Sequence, residues 1–297
     1  MVAAVEGEGF VLMRVLVTGA SGQLGTDLVA VCTSAGDTVF AFDHASLDIA
    51  SRDAVLAAVT SLRPDVVINC AAWTAVDACE GDPDRALAIN GIAVRWLAEG
   101  CARANCHLVQ VSTDYVFDGE LDRPYHEWDP TDPRSVYGLT KLIGEREALV
   151  LGASAAVVRT SWVCGLNGSN MVKTIMRLAT DHQQLHFVAD QIGFPTFTAD
   201  LAVSLRALAV DRCSGTWHIT NQTGTSWFGF AREVVAAMGK DPEMVQPIST
   251  ADLQPPRPAA RPANSMLDNA MLRASGRPIL RDFREPLAET VAALLAQ

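Results

Sequence analysis

The sequence predicts an α/β fold, a doubly wound parallel sheet over residues 13–165 followed by a smaller C-terminal lobe over 166–297. Three observations predict it. Short, β-branched, continuously apolar runs alternate with amphipathic stretches from residue 13 onward, and strands this apolar are buried on both faces, as in a helix-covered parallel sheet. The first such run ends in a glycine-rich turn that opens a helix. Beyond about residue 165 the alternation loosens, and a proline-rich connection occupies 242–264. A βαβ order implies right-handed crossovers, with ligand at the carboxyl ends of the strands.

The elements follow in order. Arg14–Thr18 is the first strand and Gly22–Ser34 the first helix. Thr38–Phe42 reads as the second strand. A helix starts near Ser51, its expected N-cap, with Val55, Leu56, Val59 and Leu62 at helical spacing. Val66–Ile68 is the third strand, Pro83–Asn105 one long helix, and His107–Val111 the fourth strand. Pro133–Leu151 is a further helix and Ala156–Val158 a further strand. In the second half, Leu185–Val188 and Thr216–Ile219 are strand candidates, and some of these elements are expected to return to the sheet. Met13 immediately precedes the first strand, so residues 1–12 are expected to be an extension without function.

Composition narrows the function. A net charge of −11 repels a phosphate backbone and argues against a nucleic-acid binder. Hydrophobic residues at 49% allow a sizeable core, and no run reaches the ~18 apolar residues of a membrane span. The seven cysteines are odd in number, scattered and set in apolar runs, so they read as buried hydrophobes of a reducing compartment. The expected location is cytoplasmic. His182 and His186 have a spacing compatible with metal, yet no carboxylate completes a ligand set, and no metal site is assigned.

Thr18–Gly25 carries glycines at 19, 22 and 25 between a strand and a helix. The first permits a tight turn, the second admits a pyrophosphate to the backbone, and the third lets helix and sheet pack closely. Helix N-terminal amides then face an anion. The motif makes the sheet Rossmann-like, with Gly19, Ser21, Gly22, Gln23, Leu24 and Gly25 as candidates for binding NAD(P)H. Asp43, at the end of the second strand, is placed to accept both adenosine ribose hydroxyls, which favours NADH over NADPH. The alternative is an ordinary turn aspartate.

Tyr137 and Lys141 stand at i and i+4, on one face of a helix. A free phenol has a pKa near 10, and a neighbouring ammonium is expected to lower it toward proton transfer at neutral pH. Alone the pair reads as a surface helix pair. Its place after the fourth strand, with Ser112-Thr113-Asp114-Tyr115 at that strand's carboxyl end, gives it a catalytic reading.

These residues resemble the extended short-chain dehydrogenase/reductase superfamily and, within it, the dTDP-4-dehydrorhamnose reductases. The resemblance covers nearly the whole chain: Thr18–Gly25, Arg63–Asp77, Ser112–Gly119, Tyr137–Lys141, Arg159–Val163, Asp190–Thr196 and Arg261–Ser265. It implies a nucleotide-sugar substrate and hydride transfer to C4 of dTDP-4-dehydro-6-deoxy-L-mannose, giving dTDP-L-rhamnose. Tyr137 would protonate the alkoxide, Lys141 would tune it and hold the ribose, and Thr113 would orient the carbonyl. By the same resemblance Asp114, Tyr115 and Trp162 line the sugar site, Ala71, Ala72 and Thr74 flank the nicotinamide, and Asp48 and Ile49 lie near the adenine. Asn90 would support the lysine.

Some members are magnesium-bridged dimers held by glutamates. Here Asp27 and Phe197-Thr198-Ala199 stand near those positions, so the chain is expected as monomer or homodimer without that metal. Bare Trp162 reads as core, bare Tyr115 equally as packing or ligand contact. Arg257 and Arg261 either meet a diphosphate or are solvated loop charges. Rival functions are a nucleotide-sugar epimerase or dehydratase, which recycles bound NAD, and a non-catalytic reductase-like regulatory subunit.

Overall fold

The computed structural model describes residues 12–151 and 154–297; of the expected N-terminal extension only Leu12 falls among the described residues. The first half runs β1 (Arg14–Thr18), α1 (Gln23–Ser34), β2 (Thr38–Phe42), α2 (Arg52–Leu62), β3 (Val66–Asn69), α3 (Val76–Gly81), α4 (Pro83–Ala86), α5 (Ala93–Ala104), β4 (His107–Thr113), α6 (Val136–Val150) and β5 (Ala155–Thr160). The second runs β6 (Val163–Cys164), α7 (Met171–Asp181), β7 (Leu185–Val188), β8 (Ile192–Gly193), β9 (Thr196–Phe197), α8 (Thr198–Val210), β10 (Gly215–His218), β11 (Thr225–Ser226), α9 (Trp227–Ala237), β12 (Val245–Ile248), β13 (Asn264–Ser265), α10 (Ala270–Ala274) and α11 (Arg284–Leu295).

Six parallel strands form the main sheet in the order β2-β1-β3-β4-β5-β10. The chain winds outward one way to β2 and the other way from β3, so the switch point lies between β1 and β3. Strand side chains alternate faces. Val15, Val17, Ile68, Val109 and Val158 meet Leu24 and Leu28 of α1 and Leu201 and Leu205 of α8. Leu16, Val67, Leu108 and Val157 pack on the other face, with Val55 and Val59 of α2 and Val94 and Leu97 of α5. Fully burying each such side chain contributes roughly 1.5–3 kcal/mol. Both β10 and α8 come from the second half of the chain and complete the sheet and one of its helical layers.

The remaining residues build a smaller lobe. In it α7, α9 and α11 pack with β7, β9 and β12 around Ile175, Phe197, Phe230 and Phe283. β8 lies between β11 and β13, and β7 pairs with β12.

Three details of the helices refine the sequence expectation. The long helix expected over 83–105 is continuous to Ala104 but widens into a π-helical turn, Leu87–Ile92, between α4 and α5. Ser51 holds the N-cap position of α2 but makes no capping bond. The helix expected from Pro133 begins at Val136, because the Ser135 side chain caps it, accepting from Gly138 N at 3.1 Å.

Beneath α6 lies a buried ion pair. Arg159 of β5 donates from Nε and Nη2 to Glu145 of α6 at 2.9 and 2.7 Å, and Ser112 of β4 donates to Glu145 Oε1 at 2.6 Å. Both side chains are almost fully buried, and Arg159 Nη1 also reaches the Glu127 carbonyl at 3.3 Å. Removing one partner strands a charge, which costs about 3–5 kcal/mol. Arg159→Met is therefore expected to lower the unfolding free energy by about that amount. The shift in denaturant midpoint measures it, and an unmoved midpoint would contradict the pinning role.

Candidate active site

At the switch point the two strand ends nearly touch. Gly19 has φ 66°, and a β-carbon there would lie 2.7 Å from Ala71 N, so only glycine fits. A β-carbon on Gly25 would run into Gly19 O, which makes Gly25 the packing contact of α1. No side chain caps α1 at Gly22, leaving its first amides open toward an anion. Ser21 is exposed above the turn, Leu24 is buried below it, and Gln23 Oε1 is buried without a partner. This cradle fits a dinucleotide pyrophosphate.

Polar side chains link three strand ends under the cradle. Thr18 Oγ1 donates to Asn69 Oδ1, and Asn69 Nδ2 donates to Gln110 Oε1 at 2.7 Å. Ala71 N also donates to Asn69 Oδ1, at 3.2 Å. Ala71 and Ala72 are half-buried and Thr74 is exposed along the same wall. Across β2, Asp43 Oδ1 accepts from Ser46 N at 2.9 Å and Ser46 Oγ at 2.6 Å. Hydrogen bonds from Ser46 hold its carboxyl below the ordinary carboxylate range. Asp43 is thus both a turn aspartate and an ionised acceptor. Ile49 is buried and Asp48 is exposed, its Oδ1 accepting from Ala50 N at 3.0 Å.

Tyr137 and Lys141 share a face of α6, and both are buried. Thr113 adjoins the phenol, and Tyr115 packs edge-on against its ring at 5.4 Å. The expected lowering of the phenol pKa is not what the structure shows. Burial drives Tyr137 upward, with Thr113 opposing, and keeps it neutral. Lys141 instead donates from Nζ to the Val111 carbonyl at 2.6 Å. Burial pulls its ammonium down to about 8, against the opposing charge of Glu145. Asn90 does not reach the lysine in the way the resemblance implied. Its side chain accepts from Trp73 N at 2.8 Å and donates to Trp73 O at 3.1 Å and Thr140 Oγ1 at 3.4 Å.

Asp114 is buried beside Thr113, and burial raises its carboxyl to about 6. Tyr115 forms one edge of a cleft of about 290 Å³ shared with His186, Gln191, Trp227, Arg257 and Arg261. Arg261 is held bidentately by Asp77 of α3 at 2.5 and 2.6 Å, whereas Arg257 makes no ion pair among the described residues. A cavity of equal volume beside α8 is mostly apolar, and its Arg277 and Arg281 are paired with Asp211 and Asp200. Trp162 stands at φ 46°, a strained position for a bulky residue. Its indole stacks on Trp227 at 3.6 Å and donates to Ser265 Oγ at 3.2 Å, and Gly193 packs closely against it.

The model of the family described as RmlD substrate binding domain matches residues 13–296. The dTDP-4-dehydrorhamnose reductase of Streptomyces griseus is 46% identical, over 95% of this chain and 94% of that protein. A probable dTDP-4,6-dihydroxy-2-methyloxan-3-one 4-ketoreductase of Streptomyces antibioticus is 42% identical, over 96% of each chain. The crystal structure of the Bacillus anthracis dTDP-4-dehydrorhamnose reductase in complex with NADP superimposes with a TM-score of 0.91 at 36% identity, covering 95% of this chain and all of that one. The chain belongs to the dTDP-4-dehydrorhamnose reductase family.

Several site features of this family member carried no readable sequence signal. The Asp77–Arg261 latch joins residues 184 apart. Asp27 is occupied internally: it accepts from Asn167 Nδ2 at 2.8 Å and from the Thr198 hydroxyl. Gly138, inside the Tyr–Lys motif, is a packing residue, since a β-carbon there would run into Tyr115 O. Gly138→Ala is expected to push α6 from the Thr113 turn, destabilising the fold by about 1–3 kcal/mol. Thermal melting and turnover of the folded variant measure the two effects; full activity at unchanged stability would contradict this packing.

Proposed function

We propose that the chain uses NAD(P)H to reduce the C4 ketone of dTDP-4-dehydro-6-deoxy-L-mannose to dTDP-L-rhamnose. The observation that carries this reading is the neutral, buried Tyr137 phenol adjoining Thr113, at the strand ends beside the glycine cradle of a family member. When bound, the cofactor supplies the hydride. Tyr137 gives its hydroxyl proton to the C4 oxygen, so the ketone gains one hydride and one proton and becomes a secondary alcohol. A phenol that burial holds neutral is in the state that donates. Thr113 offers a second hydrogen bond to the oxygen as charge develops on it. Lys141 supplies the positive charge that offsets a transient phenolate.

The cleft beyond Tyr115 supports a nucleotide-linked sugar over a free one. Arg257 and Arg261 face it together, suited to a diphosphate, with Trp227 beside them. No helix of the described residues is long and apolar enough to cross a membrane, and a cytoplasmic sugar nucleotide is the substrate we infer. Reduction of another dTDP-linked 4-ketosugar is the second reading, favoured by the Streptomyces antibioticus relative.

Cofactor oxidation assayed with dTDP-4-dehydro-6-deoxy-L-mannose should show turnover, and Tyr137→Phe should lose roughly 10²-fold or more. A folded, cofactor-binding protein without turnover would refute the proposal. We further propose NADH as the preferred cofactor, because Asp43 keeps an ionised oxygen for the ribose hydroxyls. Asp43→Asn should shift the ratio of kcat/KM values toward NADPH by roughly tenfold, the equivalent of one charge-assisted hydrogen bond.

A further inference from the structure

Asp114 holds a partly unused carboxyl at the centre of the site. It is 2% exposed, its Oδ1 accepts the Thr113 hydroxyl proton at 2.9 Å, and its Oδ2 has no partner. The groups facing it are Thr113 and Tyr115 of its own segment, Tyr137 of α6 and Ser265 of β13, and none is cationic. Ser265 donates to Ile192 O at 3.2 Å and is also a hydroxyl neighbour that opposes the rise of the Asp114 pKa.

Counting the Thr113 hydroxyl exposes a conflict. It has one proton and two lone pairs. Asp114 takes the proton and Tyr115 N occupies one lone pair at 3.3 Å, which leaves only an acceptor. In that arrangement Thr113 has nothing to donate to a ketone oxygen. A proton on Asp114 Oδ1 reverses the bond. Both lone pairs are then filled, by Asp114 and Tyr115 N, and the threonine proton is free.

We propose that Asp114 works in its neutral form as a positioning residue, donating from Oδ1 to Thr113 and so turning the threonine hydroxyl toward the substrate ketone. The role rests on the reductase reading above. Burial without a cation favours the neutral carboxyl, raising its pKa to about 6 against the hydroxyl and main-chain donors around it.

The sign follows from the raised pKa. The neutral form predominates below about 6 and falls roughly tenfold per pH unit above it. Because kcat/KM reports the free enzyme, it should fall by roughly tenfold between about pH 6 and about pH 7.5. That window lies below the range near 8 in which Lys141 loses its proton. A carboxylate that merely accepted a sugar hydroxyl would give the opposite slope. Asp114→Asn, whose amide donates at every pH, should flatten the profile across the window, with thermal melting confirming its fold. A slope that rises with pH, or a fall that survives in Asp114→Asn, overturns the proposal.

Infrared difference spectra of wild type against Asp114→Asn, both loaded with cofactor, read the carboxyl without turnover. A neutral-acid carbonyl band at about pH 5.5 is expected. Only a carboxylate signal in an active enzyme would overturn the role while leaving the reductase intact. Absence of turnover with every substrate would refute the reductase reading and remove the role with it.

Discussion

The geometry of the site depends on the buried contact between Glu145 and Arg159. Glu145 lies one helical turn beyond Lys141 on α6, and its oxygens are claimed by Arg159 of β5 and Ser112 of β4. Thr113 is the next residue of the same strand. One carboxylate therefore fixes the distance between the helix that carries Tyr137 and the strand end that carries Thr113. A buried ion pair adds little net stability over an apolar pair, but it is intolerant of misalignment. Here that intolerance sets helix register, while the negative charge of Glu145 helps Lys141 keep its proton against burial.

Close backbone approach is the second constraint, and it recurs on both sides of the site. Gly19 and Gly25 bring α1 and the end of β3 against the cofactor cradle, and Gly138 and Gly144 bring α6 against Tyr115 and Asn90. Each glycine removes a β-carbon where main chain meets main chain. The wide turn around Asn90 belongs to the same packing: its side chain clamps the Trp73 backbone and the Thr140 hydroxyl, and so ties the Ala71–Thr74 segment to α6. Support for the lysine is therefore indirect, through the helix that holds it.

The sequence made the sheet legible because its strands are apolar on both faces and its glycine turn sits between strand and helix. Thr113, Tyr137 and Lys141 stand out in the sequence for the same local reason, as Thr113 ends a strand and Tyr137 and Lys141 share a helical face. What could not be read was long-range or set by burial. Nothing near Asp77 points to Arg261, nothing near Asp27 to Thr198, and nothing near Trp162 to its left-handed backbone. The phenol pKa was misjudged because spacing reveals a neighbouring ammonium but not how deeply both groups are buried. The π turn inside the long helix has no local signature in the sequence, since it is tied to the distant contacts of Asn90.

That α8 and β10 belong to the main sheet has a consequence for biosynthesis. Leu201, Leu205 and Leu208 cover the face formed by Val15, Val17, Ile68, Val109 and Val158, and β10 shields the edge of β5. While the ribosome has delivered only the first half, that apolar face and strand edge stand open to other chains. The six-stranded sheet cannot be completed until residues through 218 have emerged, so its closure comes late in translation.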